Sequence, residues 1–564
     1  MSKINILSLG GLQENGKNLY IAEIDDRIFI LDAGLKYPTS ELYGIDSIIP
    51  DLSYLILNKE RIEGIFLTNA HDDFIGSVGH ILKEINVPVY ASHFTLSVVS
   101  DLLKEEFPEC KPSDKKLFEV NKKTRLTFGS VSLTFFEVAN NIPDSLGIII
   151  HTVDGNIVYT GNYTFDQNAH QTDYVSMYQS LVSASKEGVL ALMTDSLGAL
   201  FEGGRGTILE FKQRVSNMFV NASGRIVVSI FSSDLQRLQM VIDIALSFNR
   251  RIAILGRKTQ RIVNLGISMG YIHVPAEKLC NLKFIDDKNQ NNDPDLVILV
   301  TGERHEPYFM LQRMSKHIDR LVHLNSSDTV IILTKPYPGT EKMAARTMDM
   351  IYRVTSQVRA VKANLLPESH ADREEIKAMI NLLKPKYILP VIGEYRHQYA
   401  VIAIANCVGF NIDNLKIMDN GDILSFKDGK YLGITDSVPV GEVMIDGKAV
   451  GDLGDVVMRD RELLAEDGVI LLSCNINPRT KKIVTPLEIV AKGFSYINED
   501  AMLKDDIRGV FNKVCEKHFK QKFINWSEFK NEFRQDLSRL IYKRSKANPI
   551  IIPIFISTDL ANQQ

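Results

Sequence analysis

The chain has 564 residues, and 65 Lys+Arg against 69 Asp+Glu leave a formal charge of −4. Hydrophobic residues make up 45% and charged ones 24%, which excludes a disordered chain, a collagen and a coiled-coil rod. A charge this close to balance means that any nucleic-acid surface must be local. At about 150 residues per domain, three to four domains are expected. The five cysteines (Cys110, Cys280, Cys407, Cys474 and Cys515) are odd in number, far apart and without a CxxC. A disulfide framework or a cysteine zinc site is therefore not expected, and the compartment reads as the reducing cytoplasm. Residues 1–7 run straight into a strand without a leader-like apolar core, and no apolar run reaches 18 residues. The expectation is a cytoplasmic protein with no membrane segment.

In chain order, residues 4–8, 18–24 and 28–32 read as strands, broken by the glycines at 10, 11 and 16 and by Asp25-Asp26. Residues 64–68 form a fourth strand, followed by a loop carrying His71 and a helical pattern over 75–84. Strands recur at 132–136, 147–151 and 156–160. Two strand-rich sheets faced by helices predict an α/β sandwich. From about residue 206 to 361 strands and helices alternate: strands at 225–230, 251–255, 296–301 and 329–333, helices at 235–248, 259–269 and 342–354. That is a parallel, doubly wound pattern. An amphipathic helix at 373–383 and a strand at 387–391 then resume the first pattern, so the second domain reads as an insertion. After about residue 425 the chain is polar and glycine-rich, and from about 460 a mixed α/β segment follows.

The segment Phe66-Leu67-Thr68-Asn69-Ala70-His71-Asp72-Asp73-Phe74-Ile75-Gly76 carries most information. It occupies the place where metallo-β-lactamases carry H-x-H-x-D-H after a strand, but it reads N-x-H-x-D-F. Around it stand Glu14-Asn15-Gly16-Lys17-Asn18, Leu31-Asp32-Ala33-Gly34-Leu35, Ile142-Pro143-Asp144-Ser145-Leu146-Gly147, Lys384-Pro385-Lys386-Tyr387 and Arg459-Asp460-Arg461-Glu462-Leu463-Leu464. In this order they resemble the ribonuclease J family over essentially the whole chain. The resemblance implies a metallo-β-lactamase αββα sandwich (1–205 and 362–428), an inserted β-CASP α/β domain (206–361), a linker (429–459) and a small α/β C-terminal domain (460–564).

The same resemblance exposes a loss. Active relatives hold two zinc or manganese ions with seven ligands. Five of those positions fall here on Asn69, Phe74, Asn140, Asn162 and Ile392, and only His71 and Asp73 survive. A catalytic site of this kind needs about three protein ligands per metal and an open position. Asn is a poor donor to such metals, and Phe or Ile offers none. No cofactor is therefore predicted, and His71 and Asp73 read as a structural hydrogen-bonded pair.

By the same resemblance, the pocket for an RNA 5′-phosphate includes Ser233, Asp234 and Leu235 at a helix start. Ser232, Ser233 and Asp234 equally suit a helix cap. Asp234, in place of an Asn, is expected to repel phosphate. The opposite wall is Leu366, Pro367, Glu368, Ser369 and His370, where the family has H-x-S-G-H. Asp195 and His370 match catalytic positions and read as vestigial. A basic cluster, Arg534, Arg539, Lys543, Arg544 and Lys546, suits solvent, RNA or an acidic partner equally.

The pattern is similar to the second, catalytically degenerate paralogue that Gram-positive bacteria carry beside an active ribonuclease J. It implies a subunit for RNA decay and ribosomal RNA maturation, binding single-stranded RNA and an active paralogue in a homo- or hetero-oligomer. Two alternatives stay open: a residual 5′-3′ exoribonuclease or endoribonuclease, and a stand-alone RNA-binding scaffold.

Overall fold

The structure, a computed structural model, describes residues 2–557 except 39–43, 166–177, 202–206, 281–292, 338, 363–364, 367–368, 448, 452–454 and 500. The chain forms two compact units, residues 1–37 with 47–443, and residues 38–46 with 444–564.

The first unit contains three sheets. The first has eight strands, in the order Lys430–Ser437, Asp422–Lys427, Lys3–Gly10, Leu19–Ile24, Arg27–Leu31, Ile62–Phe66, Val89–Ala91 and Leu117–Glu119. The second has six, in the order Tyr387–Val391, Val189–Asp195, Gly155–Tyr159, Leu146–Thr152, Val131–Glu137 and Arg125–Phe128. Strands such as Leu19–Ile24 are buried along their full length, as strands covered on both faces must be. Between these two sheets lies one apolar core, with Ile6, Tyr20, Phe29 and Phe66 from one side and Phe135, Ile148, Tyr159 and Leu389 from the other. Helices Tyr178–Glu187, Arg373–Leu383 and Tyr395–Cys407 cover the outer face of the second sheet through Leu181, Ile380 and Val401. Helix Arg373–Leu383 starts at a capping box of Asp372 and Glu375 and stops at Lys384 in the left-handed region.

After Val189–Asp195 the chain leaves the sandwich and builds the third sheet, entirely parallel, ordered Leu279–Cys280, Arg251–Leu255, Leu296–Gly302, Ile226–Phe231, Thr329–Ile332 and Val358–Ala360. Helices pack on both faces around separate cores. The chain then returns, and Tyr387–Val391 pairs parallel with Val189–Asp195, Asp195 opposite Val391. The inserted, doubly wound domain is thus as the sequence implies.

Two details differ from the sequence reading. The helix expected over 75–84 is split into Asp72–Ile75 and Val78–Glu84. Residues 430–437, assigned to the linker, are the edge strand of the first sheet. Their alternation is half-buried to exposed, too weak a contrast to mark a strand by pattern.

In the second unit, Val469–Asn477 pairs with Glu488–Lys492, Lys482–Ile483 and Ile550–Ser557. Helices Ala501–Phe519 and Trp526–Ser545 cover one face through Ile507, Phe511, Phe529 and Phe533. Asn525 caps the second helix by accepting from the Ser527 and Glu528 amides. No helix among the described residues is long and apolar enough to cross a membrane.

Candidate functional site

The candidate site lies where the two sandwich sheets end. The loop after Ile62–Phe66 carries Asn69 and His71, and the short helix Asp72–Ile75 that follows carries Asp73; the stretch before Leu146–Thr152 carries Asn140 and Asn141; Asn162 follows Gly155–Tyr159; Ile392 follows Tyr387–Val391. The fold brings into direct contact three of the five positions at which the resemblance implies a lost ligand. Asn69 Nδ2 donates to Asn162 Oδ1 at 2.8 Å, and Asn140 Nδ2 donates to the same oxygen at 2.8 Å. Asn69 Oδ1 accepts from the His71 amide at 2.9 Å, and Asn140 Oδ1 from the Ile142 amide at 3.4 Å. All three side chains are buried, Asn69 fully. The amides thus supply to one another the hydrogen bonds that buried polar groups require.

The other two positions are apolar. Phe74 is fully buried in the core between the sheets, and Ile392 belongs to the same core. Ile392 has φ +58°, a left-handed conformation that a β-branched residue adopts at a cost. Its amide donates to the Tyr20 hydroxyl at 2.9 Å and its carbonyl accepts from Ser196 Oγ at 2.9 Å, which hold the turn in place.

His71 and Asp73 do not bond to each other, contrary to the sequence expectation. His71 Nε2 meets Asn141 Oδ1 at 2.7 Å, while Asp73 receives Asn18 Nδ2, at 2.9 Å on its carbonyl and 3.4 Å on its carboxylate. The reason is geometric: His71 precedes the short helix and Asp73 lies inside it. Burial raises the Asp73 pKa, and the charges of His71 and His370 partly oppose that rise. Asp195 is fully buried, and its Oδ2 lies 2.9 Å from His370 Nδ1 and accepts the Ala371 amide at 3.3 Å. Its Oδ1 accepts the Leu197 amide at 3.0 Å.

Sequence reasoning passed over Asp32. This carboxyl is fully buried with φ +60°. It accepts from the Thr68 amide at 2.7 Å, from Thr68 Oγ1 and from the Tyr159 hydroxyl at 2.7 Å. Burial dominates those bonds and pushes its pKa from 3.8 up to about 7. The Asp32-Ala33-Gly34 triplet was the available signal, but its burial was not legible.

The phosphate-pocket residues fare unevenly. Asp234 caps helix Leu235–Ser247 by accepting the Arg237 amide at 3.0 Å, and its carboxylate is ion-paired with the Arg237 guanidinium. Its charge is therefore neutralised locally and is not an open repulsion toward phosphate. Leu235 and Leu366 lie in the apolar core of the inserted domain, so their side chains present nothing to RNA. Ser233 and Ser369 are half-buried. Pro367 and Glu368 lie outside the described residues. Ser232, not singled out as a contact, is fully buried at the end of Ile226–Phe231 with its hydroxyl unpartnered. The Gln236 amide donates to the Asn141 carbonyl at 3.3 Å, which ties that helix start to the partner of His71.

A two-metal centre requires several imidazole and carboxylate donors converging on each ion. Among the described residues no group of three or more His, Cys, Asp and Glu could hold a metal ion. The residues present do not fit the metal pair of this fold class. The fold defines a metallo-β-lactamase sandwich with an inserted doubly wound domain, and at the ends of its sheets amides and apolar side chains stand together.

Comparison with known proteins is specific. Residues 13–194 match the metallo-β-lactamase superfamily, 223–351 the ribonuclease J β-CASP domain, 357–403 the Zn-dependent metallo-hydrolase RNA specificity domain, and 456–558 the ribonuclease J C-terminal domain. The chain is 34% identical over 551 residues to Ribonuclease J 2 of Staphylococcus epidermidis, covering 98% of both chains. It is 34% identical over 553 residues to Ribonuclease J 2 of Staphylococcus aureus, again covering 98% of both. A crystal structure of a protein of unknown function from Enterococcus faecalis shares the fold, with a TM-score of 0.52 at 13% identity, over 75% of this chain and all of that one. The chain belongs to the ribonuclease J family, a family of RNA-processing nucleases.

Proposed function

We propose that this chain is a ribonuclease J family subunit that has lost the two-metal hydrolytic centre and serves RNA decay and ribosomal RNA maturation beside an active paralogue in the cytoplasm. One observation carries the reading. Asn69 and Asn140 close onto Asn162 in a self-satisfied amide cluster where the family places metal ligands. Such a cluster gains its stability without an ion, and it leaves no bound water of lowered pKa to attack a phosphodiester. Phe74 and Ile392 fill the neighbouring volume with core side chains. The chain's contribution is then binding and assembly.

A second reading, a residual ribonuclease, is favoured by the His370–Asp195 contact and by the nearness of both His71 and His370 to Asp73. The experiment that separates the two is a time course on 5′-monophosphorylated, end-labelled RNA with manganese or magnesium, an active family member serving as control. The expected result is no mononucleotide release, no internal cut, and no manganese-dependent rise in melting temperature. Release that follows the protein through purification and vanishes in both His71→Ala and Asp195→Ala would establish the residual nuclease instead.

A further inference from the structure

The strand Tyr387–Val391 passes through Ile392 and Gly393 into helix Tyr395–Cys407, with Glu394 at its cap. This helix buries His397, Gln398, Val401, Ile404 and Ala405. Tyr395 and Tyr399, one turn apart, stand away from that face and are 51% and 59% exposed. Their rings stack on each other, with centroids 6.2 Å apart and planes 26° apart. Between them in sequence, Arg396 pairs with Glu394 while its side chain stays 64% exposed. The fold gains little here, because a helix-surface pair of this spacing contributes only tenths of a kcal/mol.

We propose that Tyr395 and Tyr399 form a stacking platform for successive bases of a single-stranded RNA, with Arg396 against the intervening phosphate. The proposal deepens the RNA-binding part of the function proposed above and rests on it. Three observations select RNA as the occupant. The platform begins three residues from Ile392, a replaced ligand position, so it flanks the place where the family handles its substrate. It lies within the 357–403 segment that matches an RNA specificity domain. And an exposed aromatic strip beside a guanidinium suits base faces and a phosphate backbone together, because every base offers a π-face.

The test is fluorescence anisotropy of the full chain with a labelled, 5′-monophosphorylated oligoribonucleotide across a salt series. Tyr395→Ala and Tyr399→Ala should each weaken binding about fivefold or more, while the two Phe variants keep it. The slope of affinity against salt should not change, because the phosphate contacts remain. An oligomer lacking its bases should bind the unaltered protein and the double Ala variant equally. If the unaltered protein binds RNA and the double Ala variant binds within twofold of it, the platform is refuted while the RNA-binding reading stands. Unchanged RNA affinity with an altered oligomeric state would assign the pair to a protein contact, and likewise overturns the proposal. If the unaltered protein fails to bind RNA, both fall.

Discussion

Asn162 is the acceptor on which the amide cluster turns, so Asn162→Ala tests the account of the site directly. The substitution removes two 2.8 Å hydrogen bonds at once, those from Asn69 Nδ2 and Asn140 Nδ2. Neither donor becomes fully orphaned. Asn69 Nδ2 keeps Thr68 Oγ1 at 3.1 Å, and Asn140 Nδ2 keeps the main-chain carbonyl of residue 162 at 3.4 Å. The cost is therefore nearer the net value of two hydrogen bonds, about 1 kcal/mol each, than the desolvation of two stranded amides. With the small void left by the carboxamide, about 2–3 kcal/mol is expected. Asn69→Ala removes one of the same bonds, so the double variant should cost less than the sum of the singles, by about 1 kcal/mol. Native-state hydrogen exchange of peptides spanning residues 62–76 and 155–165 reports on this site. A loss under about 0.5 kcal/mol, or strictly additive singles, would refute the cluster as the element that stabilises the site without metal.

Asp32 gives a pH prediction. Its folded pKa, raised by burial to about 7, lies above its ordinary 3.8, so the native state holds a proton that the unfolded chain releases. The resulting penalty is absent below pH 4, grows between about 4 and 7 and is complete above that range, so stability falls as pH rises through the window. Asp32→Asn should flatten this part of the stability profile and stabilise the sandwich at pH 8; an unchanged profile in urea titrations would exclude the buried acid as its source. In the inserted domain, Arg225 and Asp328 form an ion pair in which each side chain is 1% exposed, with Nη2 to Oδ2 at 2.6 Å and Nε to Oδ1 at 3.1 Å. Asp328→Ala should therefore cost about 3–5 kcal/mol, because it strands a buried guanidinium. Arg225→Met with Asp328→Leu together should cost much less, and equal losses in both would show that packing, not charge, sets the penalty.

Much of this molecule was legible in its sequence, and the boundary of legibility has physical causes. Strands buried on both faces and helices with clear caps announce themselves through apolar runs and capping residues, as at 28–32 and 373–383. The weakly amphipathic edge strand 430–437 does not. That Asn69, Phe74, Asn140, Asn162 and Ile392 stand where the resemblance implies metal ligands was legible, because it needs only the order of residues along the chain. How these side chains meet was not legible: positions 69, 140 and 162 come together only in three dimensions, and nothing in the sequence says that two amides share one oxygen. The same limit explains the His71–Asp73 error, since neighbours in sequence were given a bond that Asn141 and Asn18 in fact make. Asp234 was misjudged because its ion pair with Arg237, one helical turn on, was not weighed. Leu235 and Leu366 were carried into a binding pocket by motif position, whereas their side chains serve the core.

The carboxylates that remain near the site argue that its substitutions act together. The resemblance implies that an active centre of this family balances its acids against two cations. With those ligand positions replaced, each remaining acid needs another means of accommodation. Asp195 has His370 Nδ1 and two main-chain amides. Asp73 has the Asn18 side chain, and the charges of His71 and His370 oppose the effect of its burial. Asp32 keeps its proton close to neutral pH. Asn at position 162 is buried without a charge and serves as a shared acceptor for two neutral amides. On this accounting His370 has a role that requires no metal: its Nδ1 lies 2.9 Å from Asp195 Oδ2, on a carboxylate that is fully buried. Replacing His370 by Ala leaves the Asp195 carboxylate one hydrogen bond short and should therefore cost stability before it affects any chemistry.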